Sequence, residues 1–231
     1  LCDMPARPFT LAEISLLESH LLQHGRHRDR MLIIAGTQVG YRITELLTWT
    51  VGQVLGPDGD IVREVTVTRA DLKGGKGVRK RSVRNRRVVL NERARGVIRD
   101  YLASLGQIPP TDQFLFQSRV GENRAITRTQ VHRILKALCR DCGIDSTRIS
   151  SHSLRKFFVR AVYDASGHDL VRTQRIVQHS SPLTTARYLE STQSELDNLV
   201  LGIGASALVP APSHRPKPRR HPPRRPPPPR R

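Results

Sequence analysis

Over the first ninety residues the apolar positions follow two different periods, and each period predicts an element. Ile14, Leu17, Leu21 and Leu22 recur at helical spacing behind Thr10, with Glu13 three residues after that threonine as in a capping box, which predicts a helix over 10–22. A second helix begins near Arg28. Its run Met31, Leu32, Ile33, Ile34 and Ala35 is too apolar to face water, so it belongs in the core. A glycine-containing turn then leads into a short helix with Ile43, Leu46 and Leu47 inward. After the Gly-Pro-Asp-Gly turn at 56–59, residues 61–68 alternate and are β-branched, which reads as a strand, and 86–90 read as its partner.

The rest of the pattern is helical. Asn91 caps a helix over 91–105 with Ala94, Val97, Ile98, Tyr101 and Leu102 inward; a proline-containing loop and a short buried segment at 114–116 follow. Residues 127–139 are amphipathic through Val131, Ile134, Leu135 and Leu138. Ser150 and Ser151 start a helix whose apolar positions are Leu154, Phe157, Phe158, Ala161 and Val162. The helix over 169–177 carries Val171, Ile176 and Val177, and Pro182 suits the first turn of a short helix bearing Tyr188. A last helix is predicted over 194–201. The fold class is therefore α+β, mostly helical with a small antiparallel β-hairpin.

Composition changes this picture in two places. From Pro210 onward the chain holds ten Pro and eight Lys/Arg, too polar and proline-rich to pack, so residues 1–205 read as the folded domain and 206–231 as a disordered basic tail. The tail carries eight of the nineteen net positive charges, and the excess of eleven elsewhere still calls for a polyanionic partner, nucleic acid before any other. Between the two strands, 72–87 hold eight Lys/Arg and no acid: Lys73 and Lys76 beside glycines, then Arg79, Lys80, Arg81 and Arg84. Such a hairpin suits a nucleic-acid backbone or groove, either through particular lysines or as a diffuse electrostatic footprint. No long apolar run predicts a membrane span, and no signal-peptide core is present, so the expected location is intracellular. Cys139 and Cys142 form a C-x-x-C at a helix end without a second Cys/His pair, and with Cys2 they read as reduced structural thiols rather than a metal or redox site.

Candidate chemistry concentrates late in the chain. In Ser150-Ser151-His152-Ser153-Leu154-Arg155 a helix N-terminus, a histidine and an arginine share one face, and all three favour a bound phosphate. On residue types alone His152 equally reads as a cap and Arg155 as a surface ion-pair member. Arg42 stands at a turn-to-helix junction with Glu45 three residues on, a spacing that also suits an ordinary ion pair. His179 and Tyr188 lie nine residues apart in Gln178-His179-Ser180-Ser181-Pro182-Leu183-Thr184-Thr185-Ala186-Arg187-Tyr188.

Taken in order, Arg42 in Gly-Tyr-Arg-Ile-Thr-Glu-Leu-Leu, a hairpin lysine, His152-Ser-Leu-Arg155, His179-Ser-Ser and Tyr188-Leu resemble the catalytic domain of the phage-integrase family of tyrosine site-specific recombinases, over roughly residues 8–201. The resemblance implies the tyrosine recombinase catalytic fold and six catalytic residues, Arg42, Lys73, His152, Arg155, His179 and Tyr188, with Lys73 preferred over Lys76. It implies double-stranded DNA as substrate, a 3′-phosphotyrosyl intermediate, no cofactor or metal, and a homotetramer on paired sites in a bacterial or phage-encoded, nucleoid-associated protein. Two other classes remain in view: nicking and rejoining as in type IB topoisomerases, and a non-catalytic DNA-binding module. Two departures stand out. Gln178 occupies a position where the family usually has Gly, and only 41 residues precede Arg42, so the separate N-terminal DNA-clamping domain is expected to be missing, either excised or absent by nature.

Overall fold

A computed structural model describes residues 6–67, 86–189 and 201. Lys73, Lys76, Arg79, Lys80, Arg81 and Arg84 lie outside the described residues, as do the basic tail and, apart from Leu201, the predicted last helix.

Helix α1 (Leu11–Gln23) begins with a reciprocal cap: Thr10 Oγ1 accepts from the Glu13 N–H at 3.1 Å, and the Glu13 carboxylate accepts from the Thr10 N–H at 2.8 Å. Arg7 grips the same carboxylate with both terminal guanidinium nitrogens and holds it below the usual carboxylate range. Ile14, Leu17 and Leu21 are buried, whereas Leu22, predicted on the same face, is 47% exposed. One residue turns the helix by about 100°, which carries Leu22 off the stripe that Leu21 defines.

Helix α2 (His27–Val39) is the hub. It packs on α1, on α5 (Glu92–Ser104) and on α7 (Ser151–Ala165), and these neighbours explain why it is apolar on more than one side. At Gly36 a Cβ would lie 2.9 Å from Leu154 Cδ1, so the missing side chain lets α7 approach. The helix stops at Gly40 in the left-handed conformation, φ 62° and ψ 13°, and any side chain there would strike the Phe158 ring.

Two short helices follow, α3 (Ile43–Leu46) and α4 (Val51–Val54), and then β1 (Glu64–Val67) pairs antiparallel with β2 (Arg86–Val89). The first strand starts three residues later than predicted. Ile61 bridges Leu55 and the Val62 N–H donates to Val54 O, so this stretch closes the loop after α4 instead of extending the ladder. Val65 and Val67 point into the core.

The remaining helices are α6 (Arg128–Asp141), α8 (Leu170–Val177) and α9 (Pro182–Tyr188), the last two packed on α7 and on each other. In α8 only Thr173 and Val177 are buried; Val171 and Ile176 are about half exposed, so the predicted apolar face is narrower than its composition suggested. In α7 the fully buried positions are Ser153, Leu154, Arg155 and Val159, while Ala161 faces solvent. Cys139 is buried and Cys142 partly so; both are free thiols, and burial pushes Cys139 up to about 11, which leaves it protonated and unreactive. Among the described residues no helix is long and apolar enough to cross a membrane.

Gly40 therefore carries two demands at once, a left-handed backbone and the space of the Phe158 ring. Gly40→Ala is expected to lower the unfolding free energy by about 2–4 kcal/mol in a urea titration. A loss below about 0.5 kcal/mol, the size of an ordinary surface change, would contradict this packing.

Candidate active site

Helix α7 supplies the floor of the site. Ser150 caps it, its Oγ accepting from the His152 N–H at 3.2 Å while its own N–H donates to Ser153 Oγ at 3.1 Å. This start places Ser151, His152 and Arg155 around a cleft of about 220 Å³ whose other walls are Arg42, Ile43, Thr44 and Arg128. A helix N-terminus, three guanidinium groups and an imidazole thus converge on one small concave surface, suited to an anion of phosphate size.

Arg155 is 2% exposed, although it is a full cation. Its guanidinium donates to the Gly40 carbonyl, and Nη2 donates to the Val177 carbonyl at 3.2 Å. Burying a charge is costly unless polar groups surround it, and here the dipoles at the C-terminal ends of two helices, α2 and α8, do so. Arg42, by contrast, is half exposed at the cleft mouth. Its Nη1 bonds the buried Glu45 carboxylate at 3.1 Å, and its N–H donates to the same group at 2.9 Å, so the ion pair that the spacing suggested is present and fixes the arginine from below.

The second half of the site is a helix stop followed by a short helix. Helix α8 ends at Gln178 with φ 54° and ψ 43°; the Gln178 N–H reaches Arg175 O at 3.2 Å and the His179 N–H reaches Gln174 O at 3.1 Å. This Schellman closure turns the chain so that His179 enters the interior, 5% exposed, where Nδ1 lies 2.9 Å from Thr185 Oγ1. Thr185 is itself fully buried on α9. The same helix brings Tyr188 round: its ring lies 4.9 Å from that of His179, the Arg155 guanidinium carbon is 5.7 Å from its centroid, and its hydroxyl is 3.4 Å from His152 Nδ1. A phenol, two imidazoles and a guanidinium are therefore gathered from α7, the turn after α8, and α9.

Of the six residues singled out as catalytic, Arg42, His152, Arg155, His179 and Tyr188 meet in this region, and Lys73 lies outside the described residues. The basic hairpin positions Lys76, Arg79, Lys80, Arg81 and Arg84 also lie outside them. Three contributors were not singled out from sequence. Gly40 offers a carbonyl, which composition cannot reveal. Arg128 is one arginine among many and is marked only by its place in the first turn of α6. Thr185 sits three residues before Tyr188, one helical turn away, and that spacing was the available signal.

The cations act on His152 as well as on any bound anion. Partial burial, and then the charges of Arg128, Arg155, Arg42 and Lys156, hold its imidazole below the ordinary value of 6.5. The ring is therefore neutral at pH 7 and able to accept a proton. Because the native value is depressed, the associated stability is complete above the unfolded value and falls away as pH drops below it. A proton titration of the His152 ring by NMR should give a midpoint below that of a free histidine, moving upward in Arg128→Ala. A midpoint above the free value would contradict the cation cluster.

The model of the "Phage integrase family" matches residues 12–195. Among curated proteins the chain is 28% identical over 180 residues to "Probable integrase/recombinase YoeC" of Bacillus subtilis (strain 168), covering 78% of this chain and 86% of that one. It is 28% identical over 211 residues to "Tyrosine recombinase XerD" of Brucella suis biovar 1 (strain 1330), covering 86% of this chain and 65% of that one. In fold it is similar to XerA recombinase, with a TM-score of 0.64 at 19% identity over 88% of this chain and 65% of that one. It is also similar to XerH site-specific recombinase bound to palindromic difH substrate, with a TM-score of 0.62 at 20% identity over 88% of this chain and 54% of that one. The chain thus spans between half and two thirds of the length of several proteins it matches.

Proposed function

Since the chain belongs to the phage integrase family, we propose that it is a tyrosine site-specific recombinase that cleaves and rejoins double-stranded DNA through a covalent bond to Tyr188. The observation that carries this reading is the meeting of the Tyr188 hydroxyl with His152 Nδ1 at 3.4 Å, beside a cleft lined by Arg42 and Arg155. DNA as the partner is supported by the basic cleft and by the relatives, since XerH and the Tn1549 transposon integrase are both described with their DNA.

In this mechanism the Tyr188 oxygen attacks the scissile phosphorus and its proton passes to His152, which partial burial and the neighbouring cations keep neutral beforehand. The bond from phosphorus to the 5′ oxygen breaks, leaving a 3′-phosphotyrosyl link. The leaving oxygen takes a proton from a hairpin lysine, for which Lys73 is the proposed source. Arg42 and Arg155 hold the non-bridging oxygens and offset the charge that grows in the pentavalent transition state. His179, braced by Thr185, donates a further hydrogen bond to the phosphate. Attack by a different 5′ hydroxyl reverses the sequence, and the covalent link conserves the bond energy, so strand exchange needs no nucleotide cofactor. Assembly as a tetramer on two paired sites, which brings that second hydroxyl within reach, completes the proposal, together with residence on the nucleoid.

The test uses a pool of nicked duplexes of random sequence, from which cleavage releases a short fragment and traps the enzyme. An adduct stable to detergent should form on the 3′ side and disappear in Tyr188→Phe. Arg42→Ala should slow its formation by about 10²–10³-fold while leaving the salt-dependent affinity within a few-fold, because its catalytic share lies in the transition state. Arg155→Ala should lower the melting temperature as well, since that side chain also joins two helix ends. An adduct that survives in Tyr188→Phe, or one linked to the 5′ side, would sink the reading.

A further inference from the structure

Gln178 adopts a backbone conformation that side chains other than glycine rarely take, φ 54° and ψ 43°. The stop of α8 requires that conformation, and a glycine would satisfy it without strain. What glutamine adds is its side chain, which reaches away from the helix to the strand pair: Nε2 donates to the Arg87 carbonyl at 2.7 Å. The acceptor sits where the ladder leaves an edge. The Leu90 N–H donates to Arg63 O, so the alternation of an antiparallel pair puts Val88 opposite Val65 and Arg86 opposite Val67 in the bonded registers and turns the Arg87 carbonyl outward.

We propose that Gln178 is a positioning residue, whose side-chain amide ties the outer edge of β2 to the turn that presents His179. The consequence for cleavage rests on the recombinase reading. The hydrogen bond joins β2, the strand that follows the basic stretch of the sequence, to the residue immediately before His179, whose ring lies against that of Tyr188. Any drift between β2 and the turn is thereby passed to the ring beside the nucleophile. The bond is solvent-exposed, so it acts by fixing a distance and contributes little to global stability.

Three substitutions in the full chain separate the side chain from the backbone. Gln178→Gly removes the strain and the amide together, Gln178→Met keeps the reach without a donor, and Gln178→Lys keeps a donor at similar reach. Hydrogen exchange over 86–89 and 178–181 is read beside single-turnover adduct formation on the nicked-duplex pool and thermal melting. Gly and Met should lose protection in both segments together and cleave about ten- to a hundredfold more slowly. Gly should melt no lower than the parent, and Lys should match the parent in exchange and rate. Parent-like cleavage by Gly or Met, or loss of protection confined to 178–181, overturns the proposal. Coupled exchange in a parent chain that forms no Tyr188 adduct leaves the tie in place and sinks the recombinase reading instead.

Discussion

The site depends on one buried cation. Arg155 lies in the interior of α7 and donates to the carbonyl of Gly40 and to that of Val177. Each carbonyl belongs to the end of a different helix, and each is followed two residues later by a site residue, Arg42 in one case and His179 in the other. The guanidinium thus sets where α2 and α8 stop relative to α7, which itself carries His152. A charge-assisted hydrogen bond contributes about 1.5–3 kcal/mol, and taking the ion out of water costs several, so the arrangement is close to neutral for folding. Its value is geometric: a hydrophobe of the same volume would fill the space without specifying either helix end.

Both helix ends adopt the same left-handed conformation but reach it with different residues. At Gly40 the Phe158 ring excludes any side chain, so glycine is required on steric grounds beyond its backbone freedom. At Gln178 the side chain points toward β2 and finds an acceptor, so about 1–2 kcal/mol of left-handed strain is partly offset by a hydrogen bond. The first junction is closed by packing and the second by a polar tie, which leaves the His179 turn the more easily displaced.

These features divide cleanly by how local their cause is. The caps at Thr10, Asn91 and Ser150 were legible because each is settled within four residues, and the structure has all three. His152 and Arg155 were recognisable as a pair because one helical turn joins them. That Arg155 is buried was not, since an arginine among Leu154, Phe157 and Phe158 gives the same periodic pattern whether it faces water or the carbonyls of other helices. The exposure of Leu22, Val171 and Ile176 was illegible for a related reason: a two-turn or surface helix spends its apolar residues more widely than its contacts require, and only the neighbours decide which ones they cover. Arg128 shows the limit most plainly, because only its place at the start of α6 sets it apart from Arg133 or Arg140, and its position at the cleft comes from how α6 meets α7.

The same arginines that a phosphate would need act with burial to keep His152 neutral, and this couples binding to chemistry. Partial burial, and then Arg128, Arg155 and Arg42, make a charged imidazole unfavourable, so the cleft holds a neutral base beside the Tyr188 hydroxyl. A phosphodiester entering that cleft brings a negative charge that weakens this repulsion. In the proposed reaction the imidazole would then be a better proton acceptor at the moment when the phenol is placed against phosphorus, and the cations would turn to the oxygens where charge is developing. The mutual repulsion of these groups costs stability and discourages protonation of the base; a polyanion bound in the cleft would diminish both penalties together. A cluster of like charges around a histidine is a poor choice for folding alone, and it becomes reasonable only if a polyanion is the state for which the site is built.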